Sequence, residues 1–130
     1  MQRYYFDHNA TTPVAPEVLQ AMLPCFGETY GNASSIHHFG QQAKQLLEQA
    51  RRQVAGLLNC RPAEVVFLSG GTEAANLAIL GTLRGASREH RHVITTTIEH
   101  PCVLDACRHL EKEGVEVTYV RVGSDGVVSP

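Results

Sequence analysis

The chain has 130 residues, of which 43% are hydrophobic and 18% charged, and its formal net charge is −2 at pH 7. This length and composition predict a single soluble globular domain. The small net charge and the scattered basic residues do not favour a nucleic-acid partner or an anionic membrane surface. The N-terminus lacks the apolar segment of a secretory signal, and no apolar run approaches the roughly 20 residues of a membrane span. We therefore expect a cytoplasmic protein.

The first half of the chain predicts helices around a polar loop. Pro16 suits the first position of a helix, which we predict over 17–26. The Gly/Asn/Ser-rich stretch 27–37 is long enough for a functional loop. Apolar residues then recur at helical spacing from Phe39 to Leu58, and this is the most strongly patterned helix of the chain. Asn59 is suited to end it.

The second half alternates strands and helices. The pattern predicts a βαβαβ segment in which strands are parallel neighbours joined by helical crossovers. We thus predict the α/β class with a mainly parallel sheet, preceded by N-terminal helices. Gly114 would end the last helix and Asp125-Gly126 would form a turn. The predicted elements are strand 65–68, helix 72–84, strand 92–97, helix 101–113 and strand 115–122.

Two polar signals follow predicted strands. In Ser69-Gly70-Gly71-Thr72 the glycines permit a sharp turn, and Thr72 could cap the next helix and leave backbone N–H groups facing a phosphate. A purely structural glycine turn remains the alternative. His100 precedes a helix and could stack on a ring or transfer a proton, or could simply be exposed at a helix entry. Ligands of open α/β sheets bind beyond the carboxyl ends of strands, where both signals fall.

Metal and disulfide chemistry are not favoured. The seven histidines show no clean ligand spacing with cysteine or carboxylate partners, so we expect no metal. The cysteines form no C-x-x-C pair, and we expect reduced thiols with structural roles. They are Cys25, Cys60, Cys102 and Cys107.

Four motifs in register carry a family resemblance over essentially the whole chain. The motifs are residues 5–14 (YFDHNATTPV), 31–40 (GNASSIHHFG), 66–76 (VFLSGGTEAAN) and 99–100 (EH). Their order and spacing resemble the N-terminal third of cysteine desulfurases, which are pyridoxal-phosphate enzymes of the aminotransferase class V group with fold type I. Such enzymes take sulfur from L-cysteine, release alanine and pass a persulfide to iron–sulfur cluster or thio-modification pathways.

The resemblance implies roles for individual residues. Gly71 and Thr72 would hold the phosphate of pyridoxal 5'-phosphate, and His100 would stack on its pyridine ring and assist proton transfer. The substrate side would be lined by residues near the N-terminus and in the 27–37 loop: Asn9, Ala10, Thr11, Asn32 and His37. The pair His8-Asn9 and Ala33 depart from the usual family pattern. The resemblance also implies a homodimer and a sulfur-acceptor protein such as an iron–sulfur scaffold.

The chain has neither a Schiff-base lysine nor a sulfur-accepting cysteine at a position that matches the family. Catalysis on this cofactor needs a Schiff-base lysine, and desulfuration needs a thiolate that attacks the substrate sulfur. In the family both come after the stretch seen here. We therefore predict an incomplete single α/β domain, with N-terminal arm and helices over 1–60 and the cofactor-phosphate segment over 61–130, inactive alone. The alternatives are another class V enzyme, such as a selenocysteine lyase or an aminotransferase, and a non-catalytic module that binds a phosphate ligand.

Overall fold

A computed structural model describes residues 3–85, 87 and 91–128. The chain divides into two compact units, Met1–Val66 and Phe67–Pro130. The single domain expected from the sequence stays a prediction. Among the described residues, no helix combines the length and the apolar character needed to cross a bilayer.

Two short helices open the first unit. Helix α1 spans Pro16–Met22 and helix α2 spans Pro24–Gly27. The prediction of one helix over 17–26 is wrong at Leu23, because Pro24 has no backbone N–H to donate to the carbonyl one turn earlier. Pro16 lies in the first turn of α1 as predicted.

Helix α3, His38–Leu58, is the longest element and confirms the strongest sequence pattern. Asn59 ends it in the left-handed conformation, with φ 52° and ψ 45°, and its N–H donates back to the last turn. A 3₁₀ turn follows over Pro62–Glu64. Ala55 and Val65 form the buried apolar part of this unit, and the Arg51 guanidinium donates to the Val65 carbonyl.

The second unit contains a parallel strand pair and two helices. Helix α4 spans Gly71–Gly85, strand β1 His92–Thr96, helix α5 Pro101–Lys112 and strand β2 Glu116–Val120. Strands β1 and β2 pair in register from His92 with Glu116 to Thr96 with Val120. Helix α5 connects the two strands, and its inner face is buried together with Val115, which follows the turn at Gly114. The buried residues are Ala106, Cys107, Leu110 and Val115.

The predicted turns in this unit are confirmed. Gly114, with φ 82°, reverses the chain after α5, and Gly126, with φ 74°, donates its N–H to the Gly123 carbonyl. Both residues occupy backbone conformations that glycine adopts without strain.

The first predicted strand of the βαβαβ segment is wrong. Residues 65–68 have the apolar composition of a strand, but a strand exists only when its backbone exchanges hydrogen bonds with a neighbour. Within the described residues the ladder consists of β1 and β2, and 65–68 is not part of it. The alternation of helix and parallel strand is confirmed from α4 onward.

Candidate functional site

The glycine turn before α4 is closed by a carboxylate. Helix α4 begins at Gly71, so Thr72 lies inside its first turn and the prediction that Thr72 caps the helix is wrong. Glu73 serves the turn instead: its Oε2 accepts from the Ser69 N–H at 2.7 Å and from the Ser69 hydroxyl at 2.6 Å. These hydrogen bonds lower the pKa of Glu73. The carboxylate is therefore ionised near neutral pH and is held on Ser69.

The start of α4 offers free donors beside open space. The first N–H groups of a helix have no carbonyl one turn earlier. In the part of the chain that the structure describes, no protein acceptor receives the N–H of Gly71 or Thr72. A Cβ at Gly70 or Gly71 would meet no atom within 4 Å, and the Thr72 side chain is exposed. The residues present thus fit a phosphate group, which accepts several N–H and O–H donors at once.

Helices α4 and α5 place their N-termini at the same end. They pack against each other, and contacts join their C-terminal ends. Arg84 Nη2 donates to Glu113 Oε1 at 2.7 Å, while His109 Nε2 lies 3.0 Å from the same oxygen. The Arg84 hydrogen bond is the main reason that the pKa of Glu113 is lowered. The starts of both helices, Gly71 and Pro101, therefore lie at the opposite end of the helix pair.

His100 occupies that end as the N-cap of α5. Its φ of −58° and ψ of 145° are outside the helical region, and its Nδ1 accepts the Cys102 N–H at 3.2 Å. The same ring nitrogen lies 3.0 Å from Cys102 Sγ. His100 is exposed. The structure thus brings His100 to the same end of unit 2 as Gly71 and Thr72, which the sequence predicted only through strand ends.

The substrate-side candidates belong to the first unit and form two groups. Asn9, Ala10 and Thr11 lie in or next to an exposed turn, in which the N–H groups of Ala10 and Thr11 reach the Asp7 carbonyl at 3.1 and 3.4 Å. The Tyr5 ring packs edge-on against His8, with centroids 5.0 Å apart. Among the described residues no hydrogen bond joins this turn to the 27–37 loop.

The second group lies at the start of α3. Asn32 Oδ1 accepts the Ser34 N–H at 2.9 Å, and the Ser35 N–H donates to the Asn32 carbonyl at 2.9 Å. His37 is the N-cap of α3, and its Nδ1 accepts the Gly40 N–H at 3.3 Å. These bonds hold the loop in a defined shape against the helix.

Two contacts were missed from the sequence. In the Ser69–Glu73 pair, an acidic residue in the first helical turn bonds back to the preceding segment. The pair is spaced four residues apart instead of the three of a capping box, so the acidic residue itself was the signal. The Cys102–His100 contact had no such signal, because histidine is rarely the N-cap.

Cys107 is fully buried, and desolvation is the main reason that its pKa is raised. Among the described residues, no group of three or more His, Cys, Asp or Glu is placed to hold a metal ion.

The fold and the free helix start define an α/β protein with a site suited to a phosphate group. The aminotransferase class-V family model matches residues 4–130, and the chain belongs to that family.

Similar proteins agree with this assignment. The mitosomal cysteine desulfurase of Encephalitozoon cuniculi is 49% identical over 130 residues, covering 98% of this chain and 30% of the relative. A solved NifS-like protein superposes with a TM-score of 0.92 at 41% identity, covering 98% of this chain and 35% of that one. A structure titled SspA in complex with cysteine gives a TM-score of 0.81 at 43% identity, covering 88% of this chain and 33% of that one.

These comparisons confirm the resemblance and the fold class. The helices and small parallel sheet of this chain correspond to the fold of the NifS-like protein and of a solved apo cysteine desulfurase from Thermococcus onnurineus, which gives a TM-score of 0.83 at 26% identity over 96% of this chain and 32% of that one. The chain spans about a third of the length of the relatives that it matches.

Proposed function

We propose that this chain forms the cofactor-phosphate end of a cysteine desulfurase, which takes sulfur from L-cysteine and leaves alanine. The observation that carries the proposal is the shared end of α4 and α5, where the free N–H groups of Gly71 and Thr72 lie with the exposed imidazole of His100. The relatives named as cysteine desulfurases and the neighbour solved with cysteine support the choice of reaction.

Gly71 and Thr72 would bind the phosphate of pyridoxal 5'-phosphate. Their two N–H groups and the Thr72 hydroxyl supply three donors, and the absence of side chains at Gly70 and Gly71 lets the anion approach the backbone. The Glu73 carboxylate accepts hydrogen bonds from the Ser69 N–H and hydroxyl, and these bonds hold the shape of the turn. When bound, the cofactor supplies an electron sink for the substrate's reacting carbon.

His100 would lie against the cofactor ring and move a proton. A flat imidazole suits stacking, and its two ring nitrogens can give and accept a proton. Its place as the N-cap of α5 orients the ring through Nδ1 and leaves Nε2 for the reaction.

Two groups of residues would line the substrate side. Asn9, Ala10 and Thr11 offer a turn with exposed polar groups, and Asn32 and His37 belong to the loop fixed at the start of α3. The Nδ1 atom of His37 is engaged by Gly40, so Nε2 is the atom that would face a ligand. The family resemblance supports this assignment.

The partners proposed are a second copy of the chain and a sulfur-acceptor protein, in the cytoplasm. Large apolar side chains are exposed in both units, which supports contacts with further protein surface. Examples are Phe6, Phe26, Ile36, Leu57, Ile94 and Ile98.

A chimera tests the proposed reaction. The first third of the Encephalitozoon cuniculi cysteine desulfurase is replaced by this chain. Alanine and sulfide are measured with L-cysteine as substrate and an added thiol, which reduces the persulfide and releases its outer sulfur as sulfide. We expect desulfuration by the chimera. Changing His100 to Ala should lower the rate by about 100-fold or more, the usual contribution of a proton-transferring side chain. The matched control, His109→Ala, removes an exposed histidine at the other end of α5.

Binding of the phosphate is tested separately. Thr72→Val in the chimera should weaken affinity for pyridoxal 5'-phosphate about tenfold, since a hydrogen bond to a charged group is lost. Thr82→Val, on the exposed side of α4 near its end, should not change it. A folded chimera that binds cofactor but only transaminates would refute desulfuration. Equal affinities of the two threonine variants would refute the phosphate assignment.

A further inference from the structure

Cys102 contacts His100 through two of its own groups. Its backbone N lies 3.2 Å and its Sγ 3.0 Å from the same atom, His100 Nδ1. Cys102 is half-buried in the first turn of α5, directly after Pro101, whereas the His100 ring is exposed. The backbone of the helix start thus holds the thiol beside one nitrogen of the ring.

The direction of these hydrogen bonds fixes the ring's tautomer. A backbone N–H can only donate, so Nδ1 must carry the lone pair that accepts it. The proton of the neutral imidazole therefore lies on Nε2. Because Nδ1 has no hydrogen, the Cys102 thiol must be the donor in the second contact, and S–H and N–H share one acceptor.

His37 provides a comparison within the same chain. It is also a helix N-cap, and its Nδ1 also accepts a backbone N–H, from Gly40 at 3.3 Å. Glycine has no side chain, so this ring has one donor at Nδ1 where His100 has two. The thiol is the difference between the two histidines.

We infer that Cys102 is a positioning residue for His100, holding it as the Nε2–H tautomer. The meaning for catalysis rests on the proposed role of His100 at the cofactor ring. In that role the neutral ring presents a proton donor at Nε2, and Nδ1 is closed to substrate. Cys102 acts through the histidine.

The test reads the tautomer directly, without cofactor. The full 130-residue chain is labelled with ¹⁵N, and long-range proton–nitrogen spectra are recorded at alkaline pH, where imidazole rings are neutral. Protonated and unprotonated ring nitrogens have well-separated shifts, so each ring reports its own tautomer ratio. We expect His100 to show an unprotonated Nδ1. In Cys102→Ala the ratio of Nε2–H to Nδ1–H forms should fall about threefold, the effect of one lost weak hydrogen bond.

Cys102→Ser supplies the rescue, since its hydroxyl can donate to Nδ1 and should restore the ratio. His37 in the same spectra is the internal reference, and its tautomer ratio should not change in any variant. Cys25→Ala is the matched cysteine control, and it should leave the His100 ratio unchanged. A protonated Nδ1 on His100 in the unaltered chain would overturn the inference. So would equal His100 ratios in the alanine, serine and unaltered proteins. Because no cofactor is present, this result is independent of the chimera assay for function.

Discussion

Gly40 should not tolerate a side chain. It lies buried in the first turn of α3 under the loop that carries Asn32 and His37. A Cβ at this position would lie 2.4 Å from the Ser35 carbonyl oxygen, 2.6 Å from the Ser35 Cβ and 2.7 Å from the Asn32 carbonyl oxygen. Two of these atoms belong to the backbone, so no side-chain rotation can relieve the overlap. Gly40→Ala must displace the loop from the helix.

The magnitude follows from two opposing effects. Forcing a methyl group into a packed site costs about 3 kcal/mol at the upper end of the usual range. Replacing glycine by alanine within a helix returns about 1 kcal/mol. The net loss is about 2 kcal/mol, which corresponds to a roughly thirtyfold increase in opening of the loop.

Amide hydrogen exchange measures this opening. The Ser35 N–H donates to the Asn32 carbonyl at 2.9 Å, so its exchange rate reports whether the loop is seated. We expect its protection to fall about thirtyfold in Gly40→Ala. Gly56→Ala, in the same helix, is the control because its added Cβ would meet no atom within 4 Å; it should slow exchange in α3 slightly. Ser35 protection within about twofold of the original in Gly40→Ala would refute the steric argument.

The remaining predictions concern a carboxylate, two thiols and the isolated chain. Hydrogen bonds from Ser69 lower the pKa of Glu73 below its ordinary 4.5. The Ser69–Glu73 hydrogen bonds should therefore stabilise the turn fully above pH 4.5, and this stabilisation should be lost as the pH falls through the lowered pKa. Ser69→Ala should raise the pKa toward 4.5 in a carboxyl NMR titration, and an unchanged midpoint would contradict this. Exposed Cys25 should be alkylated rapidly in the native protein, whereas Cys107, whose pKa is raised by burial, should react only after unfolding in urea; equal native rates by mass spectrometry would show that Cys107 is not enclosed. The 130-residue chain with pyridoxal 5'-phosphate should release no more alanine from L-cysteine than cofactor alone, since no matching lysine is present; faster release would disprove this.

Elements governed by local signals were predictable from the sequence. The apolar stripe and Asn59 defined α3 nearly to the residue, and Gly114 marked the end of α5. The break at Pro24 was also a local signal, but the prediction let helical composition override it. The prediction of a strand over 65–68 was wrong for another reason. Its composition favours a strand, yet pairing depends on a neighbouring backbone, which no local pattern specifies.

The assignment of Gly71, Thr72 and His100 to a binding site stays a prediction, and the structure tests only their local geometry. The motifs singled out Gly71, Thr72 and His100, and the packing of α4 on α5 accounts for their common end. The first residue of α4 decides which side chain hydrogen-bonds across the glycine turn. A shift of one residue moved Thr72 into the helix and left Glu73 to bond with Ser69. Helix ends are set by such local competition between donors, so a pattern alone places them poorly.

The parallel arrangement of α4 and α5 has an electrostatic consequence. Each helix N-terminus carries about half a positive elementary charge from its aligned peptide dipoles, so the end that holds Gly71 and His100 gathers about one unit. The opposite, negative ends carry basic residues, with Arg84 in the last turn of α4 and His109 and Lys112 in that of α5. A backbone dipole has no proton to lose. Attraction for an anion at this end is therefore built into the fold itself and persists at any pH at which the helices remain folded.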